Sequence, residues 1–169
     1  LITPLRNPAL LAKTSATIDS ISRGRLELGV GMGWQEEEYL TAGVPFEKRA
    51  EIFWETLEIC QLLWRESPAS YNGKIYQFDD IWCQPQPVQG ADLPLLFGLK
   101  MTASNAQKIA QIGHGWIPIK TDEELISSGS ELLSKAFKEN NKDDTPRIRG
   151  QLPTQLDDSG APNLELTLK

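Results

Sequence analysis

The chain has 169 residues, 40% hydrophobic and 24% charged; these are ordinary globular proportions, and they exclude a disordered or fibrous protein. Its net charge of −6, with scattered rather than clustered Lys and Arg, argues against a nucleic-acid partner, because phosphate binding needs grouped basic side chains. No apolar run approaches the roughly 20 residues of a membrane span, and the N-terminus lacks the charged-then-apolar order of a signal peptide, so no membrane association and a cytoplasmic location are expected.

In chain order, Leu1-Ile2-Thr3-Pro4 reads as the end of a strand, so earlier elements are expected upstream of the sequence. Asn7 can cap a helix with Pro8 at its first position, where a missing N–H costs nothing; Leu11, Ile18 and Ile21 should share one face. Asp19 and Arg23, four apart, should support the exposed side, and Gly24 should end the helix. Leu26 to Val30, apolar at alternate positions and bounded by glycines, predicts a buried strand feeding a glycine-rich loop. Phe46, Ala50, Phe53, Leu57, Cys60 and Trp64 recur at spacings of three and four and predict one long amphipathic helix.

Tyr71-Asn72-Gly73-Lys74 is a two-residue hairpin signal of the type I′ kind, with the hairpin ending near Phe78. Gln84-Pro85-Gln86-Pro87-Val88-Gln89 lacks donors and torsional freedom, so residues 65–93 form a hairpin and Pro/Gln-rich insertion. A short strand is expected at Pro94 to Gly98. The helix from about Thr102 should bury Ala106, Ile109 and Ala110 and stop at Gly113. Gly115 to Ile119 reads as a strand. Thr121-x-x-Glu124 reads as a capping box opening a helix that buries Leu125, Gly129, Leu132 and Ala136. Arg147 to Leu152 should be a last strand and Asn163 to Lys169 the start of a helix.

Strands alternating with helices imply a parallel sheet with helical crossovers, either an open doubly wound sheet or a (β/α)8 barrel. About five strands are found where a barrel needs eight, so a barrel here is incomplete. Gly29-x-Gly31-x-Gly33 after a strand invites a dinucleotide-binding reading, but Trp34 stands where that fingerprint needs glycine. Absent side chains at a strand's carboxyl end do let a flat ring or a phosphate approach the backbone. Glu36-Glu37-Glu38 reads as a solvated helix start, favoured by the positive end of the helix dipole. Cys60, Cys83 and His114 make neither a zinc site nor a disulfide framework, and both cysteines read as packing residues. No metal site is expected. One histidine supports no hydrolytic triad, as expected where a cofactor carries the chemistry.

Pro4-Leu5-Arg6-Asn7-Pro8, Leu11-Ala12-Lys13, Ala16-Thr17-x-Asp19, Ser22-x-Gly24-Arg25-Leu26 and Gly29-x-Gly31-x-Gly33-Trp34 occur in order. Gly43-Val44-Pro45-Phe46-x-x-Arg49, Tyr71-x-Gly73, Phe78-Asp79, Pro85-x-Pro87-x-Gln89 and Gly113-x-Gly115-Trp116-x-Pro118 follow. Together they resemble the luciferase-like flavin-dependent family, in particular its F420-dependent branch, over nearly the whole chain to about Leu125. The resemblance implies a (β/α)8 TIM-type barrel over residues 1–169, truncated at both ends. It also implies FMN or coenzyme F420 at the carboxyl ends of the strands, used for hydride transfer or oxygen activation on a small organic substrate.

It implies further that Gly31, Met32 and Gly33 line the cofactor and that Glu37 touches its tail. Gly98-Leu99-Lys100 matches the place where members cradle the phosphate with backbone N–H groups, commonly through a Gly-Gly pair. Leu99 departs from that pair, and Lys100 can compensate with charge. Some deazaflavin dehydrogenases carry a catalytic glutamate where this chain has Trp34, so no catalytic acid or base is assigned and Trp34 is placed in the substrate pocket. A homodimer of the full-length protein is expected. Two other readings stay open: a non-catalytic barrel fragment stable only with missing segments or a partner, and an open-sheet nucleotide-binding domain, for which no suitably placed acidic residue is found.

Overall fold

The computed structural model describes residues 1–120, 122–150 and 156–162. It divides into two compact units, Leu1–Leu95 and Leu96–Lys169.

In the first unit a helix α1 (Pro8–Ser22) starts as expected, with the Asn7 side chain accepting from the Leu10 N–H at 3.1 Å. Its buried face is Pro8, Leu11, Ala12, Ser15, Ala16 and Asp19, the spacing of a helix resting on a neighbour. Ile18 and Ile21 are therefore not on the core face: Ile21 is 79% exposed. The expected surface pairing of Asp19 with Arg23 also fails. Asp19 is fully buried and accepts from the Gln89 N–H at 3.0 Å, the Gln89 Nε2 at 2.8 Å and, more distantly, the Leu26 N–H at 3.4 Å. Arg23 instead takes the left-handed conformation, φ 57°, that closes the helix.

The strand β1 (Leu28–Val30) follows, shorter than Leu26 to Val30 because Leu26 and Gln89 engage each other: the Gln89 Nε2 donates to the Leu26 carbonyl at 2.9 Å. Ile2 bridges in parallel to Gly31, which is the strand end expected at the start of the chain. A helix α2 (Glu36–Ala42) begins on the three glutamates. The long helix α3 is Arg49–Arg65, and Phe46 lies just before it in a separate 3-10 turn. α1 packs against α3. The α3 side chains reach α1 carbonyls, Trp64 Nε1 donating to Ala12 O at 3.0 Å and Cys60 Sγ to Pro8 O at 3.7 Å. Phe53, Leu57, Ile59, Leu63 and Trp64 are essentially inaccessible, and each such side chain contributes about 1.5–3 kcal/mol relative to exposure. Both cysteines are buried and free.

The strands β2 (Ala69–Asn72) and β3 (Gln77–Ile81) pair antiparallel, with Asn72 opposite Gln77. Residues 73–76 therefore make the connection, rather than a two-residue turn, and neither Asn72 nor Gly73 has positive φ. A buried acceptor explains the change. Glu55 of α3 takes the Ile75 and Tyr76 N–H groups on one oxygen at 2.9 and 2.8 Å, and this outweighs the local preference of Asn-Gly. Tyr71 adds a bond to Glu58 at 2.8 Å.

The strand β4 (Leu95–Phe97) leads into the second unit, where β4, β5 (Gly115–Trp116) and β6 (Arg147–Ile148) are parallel neighbours. Leu96 pairs with Gly115 and Gly115 with Arg147. Between them, α4 (Ala103–Ile112) is capped by Thr102 and buries Ala106, Ile109 and Ala110, as the spacing predicts. The helix α5 (Glu123–Glu139) is capped by Asp122, whose side chain accepts from the Leu125 N–H at 2.9 Å. Thr121, the expected cap, lies outside the described residues.

α5 packs along α4 and buries Gly129, Leu133, Ala136 and Phe137. Leu125 and Leu132, expected inside, are each 39% exposed. Ile119 lies beyond the shortened β5, and Leu152 and the helix expected at Asn163 to Lys169 fall outside the described residues. The five positions at which parallel strands were expected all carry strand or bridge structure. Among the described residues no helix is long and apolar enough to cross a membrane.

Candidate functional site

In the first unit, the residues expected to line a cofactor occupy the carboxyl end of β1. Gly31 is clamped by the neighbouring segment: its N–H donates to Leu1 O and its carbonyl accepts from the Thr3 N–H, both at 2.9 Å. Gly33 has φ +72°, and an added Cβ would meet the Ile2 side chain at 3.1 Å. A side chain there is disfavoured by both conformation and space. Met32, between them, is held through its carbonyl, which accepts a hydrogen bond from the buried Tyr39 hydroxyl. Sequence reasoning missed Tyr39, whose role depends on a contact between α2 and the loop.

Burial pushes the Tyr39 phenol above its ordinary value, with the nearby Arg49 charge opposing and the Glu38 charge adding to the effect; a neutral hydroxyl is the form that can donate to Met32. Tyr39 meets Phe46 edge-on at 5.2 Å between ring centres, and the Arg49 guanidinium sits 3.9 Å over the Phe46 ring. The loop is thus braced from below, while Trp34 stands 83% exposed and Glu37 is exposed on α2. Thr3, beside Gly31, is fully buried with a hydroxyl that has no partner among the described residues.

In the second unit, Gly98, Leu99 and Lys100 follow β4 and lead to the N-terminus of α4. No hydrogen bond among the described residues uses the backbone N–H of Leu99, Lys100 or Met101. Free main-chain donors at a strand's carboxyl end, running into the positive end of a helix, match the requirements of a phosphate. Leu99, in place of a second glycine, has an unengaged N–H of its own among the described residues. Its side chain is buried, and its carbonyl accepts from Trp116 Nε1 of β5 at 2.8 Å. The Asn105 side chain fixes the next turn by donating to Lys100 O at 2.9 Å.

A cavity of about 390 Å³ opens at the same place, lined by Leu99, Lys100, Met101, Trp116, Lys120 and Leu132 among others. Sequence reasoning found neither Trp116 nor Lys120 as part of a site. Trp116 reaches Leu99 because β4 and β5 are parallel neighbours, and Lys120, beyond the end of β5, lines the same cavity. His114 is half-buried, and its carbonyl accepts from the Arg147 N–H at 2.9 Å, which is a place in the sheet.

A model of the luciferase-like monooxygenase family matches residues 1–164. An uncharacterized protein of Mycobacterium tuberculosis (strain H37Rv) is 36% identical over 142 residues, covering 84% of this chain and 50% of that protein. The pyrimidine monooxygenase RutA of Yersinia enterocolitica is 39% identical over 85 residues, 47% of this chain and 23% of RutA.

Among solved structures, the monooxygenase RslO1 of Streptomyces bottropensis superposes with a TM-score of 0.82 at 23% identity, over 94% of this chain and 49% of RslO1. The coenzyme F420-dependent tetrahydromethanopterin reductase of Methanopyrus kandleri gives 0.73 at 20% identity, over 90% and 48% of the two chains. The oxygenating constituent of 3,6-diketocamphane monooxygenase from Pseudomonas putida, in complex with FMN, gives 0.74 at 18% identity, over 93% and 47%. This chain therefore spans about half the length of the Mycobacterium protein and of these structures, or less in the case of RutA. The fold is the α/β, TIM-barrel type of these neighbours, with part of the barrel represented. With the family match extending over residues 1–164, and with strand ends, helix caps and glycine loop in the order described, the chain belongs to the luciferase-like monooxygenase family.

Proposed function

We propose that this chain is part of the cofactor-binding core of an oxidoreductase that uses a reduced flavin or deazaflavin, FMN or coenzyme F420, on a small organic substrate. The observation that carries the reading is the run of unengaged N–H groups at Leu99, Lys100 and Met101, after β4 and before α4. Those groups, with the Lys100 ammonium, would hold the cofactor phosphate. Gly31, Met32 and Gly33 would give the flat ring close access to the backbone, held in shape by Tyr39 and Ile2. Glu37 would lie towards the cofactor tail and Trp34 would form a wall of the substrate pocket. When bound, the cofactor supplies hydride transfer or oxygen activation; the protein positions it, excludes water and selects the substrate.

F420-dependent and FMN-containing proteins both occur among the structural neighbours, and RutA acts on pyrimidines. They support the cofactor class, and a small organic substrate is the matching inference. We place the enzyme in the cytoplasm, and its full-length form in a homodimer.

A second reading is that the chain is a non-catalytic fragment needing further segments or a partner. It is favoured by the exposed apolar residues Leu10, Ile18 and Ile21 on α1, a stripe of the kind an interface covers. Titrating the purified chain with FMN and with F420, followed by cofactor fluorescence, tests the first reading. Saturable binding of one cofactor that weakens in Lys100→Gln supports it, and binding of neither rejects it.

A further inference from the structure

The cavity at the carboxyl ends of β4 and β5 has more apolar lining than a phosphate would use. Leu99, Met101, Trp116, Leu125 and Leu132 form its walls, with Lys100 and Lys120 also on its surface. Leu125 and Leu132 are each 39% exposed and Ile119 is 69% exposed, so this apolar surface is in contact with water although it belongs to a concave site. Its volume of about 390 Å³ lies within the range of small-molecule pockets.

Neither the Lys100 nor the Lys120 ammonium makes an ion pair or hydrogen bond among the described residues. The Asp122 carboxylate caps α5, its Oδ1 accepting from the Leu125 N–H at 2.9 Å, and is not part of the cavity lining. The floor of the cavity is built closely. Gly129 of α5 lies so near the Trp116 indole that an added Cβ would sit 2.5 Å from its Cη2, and the other edge of that indole is fixed by the bond to Leu99 O.

We propose that this cavity binds an organic anion: a molecule with an apolar, ring-sized body seated on Met101, Leu125 and Leu132, above the buried Trp116, whose carboxylate, sulfonate or phosphate is held between Lys100 and Lys120. Apolar contact supplies affinity, and the lysines select an anionic head over a neutral one. The site uses Lys100 in common with the cofactor reading but does not depend on it, because the apolar walls and Lys120 play no part in holding the cofactor. The ligand class inferred is a substrate-sized organic anion, in a place separate from that of the cofactor.

Two fluorescent probes test this on the full chain: 8-anilinonaphthalene-1-sulfonate, and N-phenyl-1-naphthylamine, which keeps the aromatic body and lacks the sulfonate. The anionic probe is expected to bind saturably, to weaken about three- to tenfold in Lys100→Gln and in Lys120→Gln, and to lose affinity at high salt. The neutral probe should bind less tightly and ignore both substitutions. Leu132→Gln, a change at a partly exposed position, should weaken both probes while the circular dichroism spectrum is kept.

Equal binding of the two probes, or indifference of the anionic probe to both lysine substitutions, overturns the proposal. Stoichiometric displacement of the anionic probe by FMN also overturns it, because the cavity would then belong to the cofactor itself. If the probes behave as expected while neither FMN nor F420 binds, the cofactor reading fails and the anion site stands.

Discussion

Replacing Asp19 with Ala should destabilise the first unit severely for a single carboxylate. The side chain is fully buried, and it accepts from the Gln89 N–H at 3.0 Å and the Gln89 Nε2 at 2.8 Å. The Leu26 N–H at 3.4 Å is too long to count as a full bond. Truncation removes the acceptor of the Gln89 N–H and one of the two acceptors of the Gln89 Nε2, which keeps its bond to the Leu26 carbonyl, in a partly buried place. At about 1–3 kcal/mol for the orphaned N–H, and about 0.5–1.5 kcal/mol for the bond lost by Nε2, the loss is about 1.5–4.5 kcal/mol. That is a large share of the roughly 5–15 kcal/mol by which domains are stable.

Asp19→Asn should recover only part of the loss, because its amide nitrogen must face one of those donors. Urea unfolding followed by far-ultraviolet circular dichroism measures the effect as a fall in midpoint at constant slope. Gln89→Ala should cost less than Asp19→Ala, and the double substitution less than the sum, because the residues share the same bonds. A loss under about 0.5 kcal/mol, the range of an ordinary surface substitution, or strict additivity, would refute the assignment.

Three further substitutions or titrations follow from the same reasoning. Glu55→Ala removes the acceptor for the Ile75 and Tyr76 N–H groups. It should cost about 1–3 kcal/mol and speed amide exchange at residues 73–76 before the rest of the unit, and unchanged exchange there would count against the role given to Glu55. Gly33→Ala must hold φ +72° and press its Cβ to 3.1 Å from Ile2. It should lower stability by about 1–2 kcal/mol and weaken FMN or F420 binding, and a neutral effect on both would remove the reason for glycine.

Tyr71 is shifted upward by burial and then by its bond to Glu58, and Tyr39 by burial. A phenol whose pKa is raised on folding contributes stability that is fully present below the ordinary value of 10.0 and is lost as pH rises through the raised one. Stability should therefore fall on the alkaline side above that ordinary value. A phenolate signal from these two residues that develops before any loss of stability would contradict the shifts.

What could be read from the residues beforehand divides by the range of the interactions involved. Asn7 with Pro8 was legible as a helix start because capping joins residues three apart, whereas the helix at about Thr102 was legible from its apolar spacing and its cap was not. The strand before Gly31 and the helix burying Ala106, Ile109 and Ala110 were legible because their patterns are local. The inward face of α1 was misread because Ile18 and Ile21 look like core residues until Gln89, seventy positions on, provides a reason to bury Asp19. On α5, Leu125 with Leu132 and Leu133 with Phe137 offer adjacent stripes, and packing against α4 selects the second. The Asn-Gly turn yielded to Glu55 for the same reason.

At the candidate site, the glycines and Lys100 were visible as a motif. Tyr39, Trp116 and Lys120 were not, since each acquires its place from an element that is distant in sequence.

The bond from Trp116 to the carbonyl of Leu99 has a bearing on how such a loop can change. An anchor that grips the main chain is indifferent to the side chain it passes, because every amino acid carries the same carbonyl. Position 99 can therefore exchange one side chain for another, altering the wall of the cavity while the loop keeps its course. A departure from the glycine pair at this point is then a means of varying ligand choice on a constant backbone, and position 99 is a natural place to begin redesigning it.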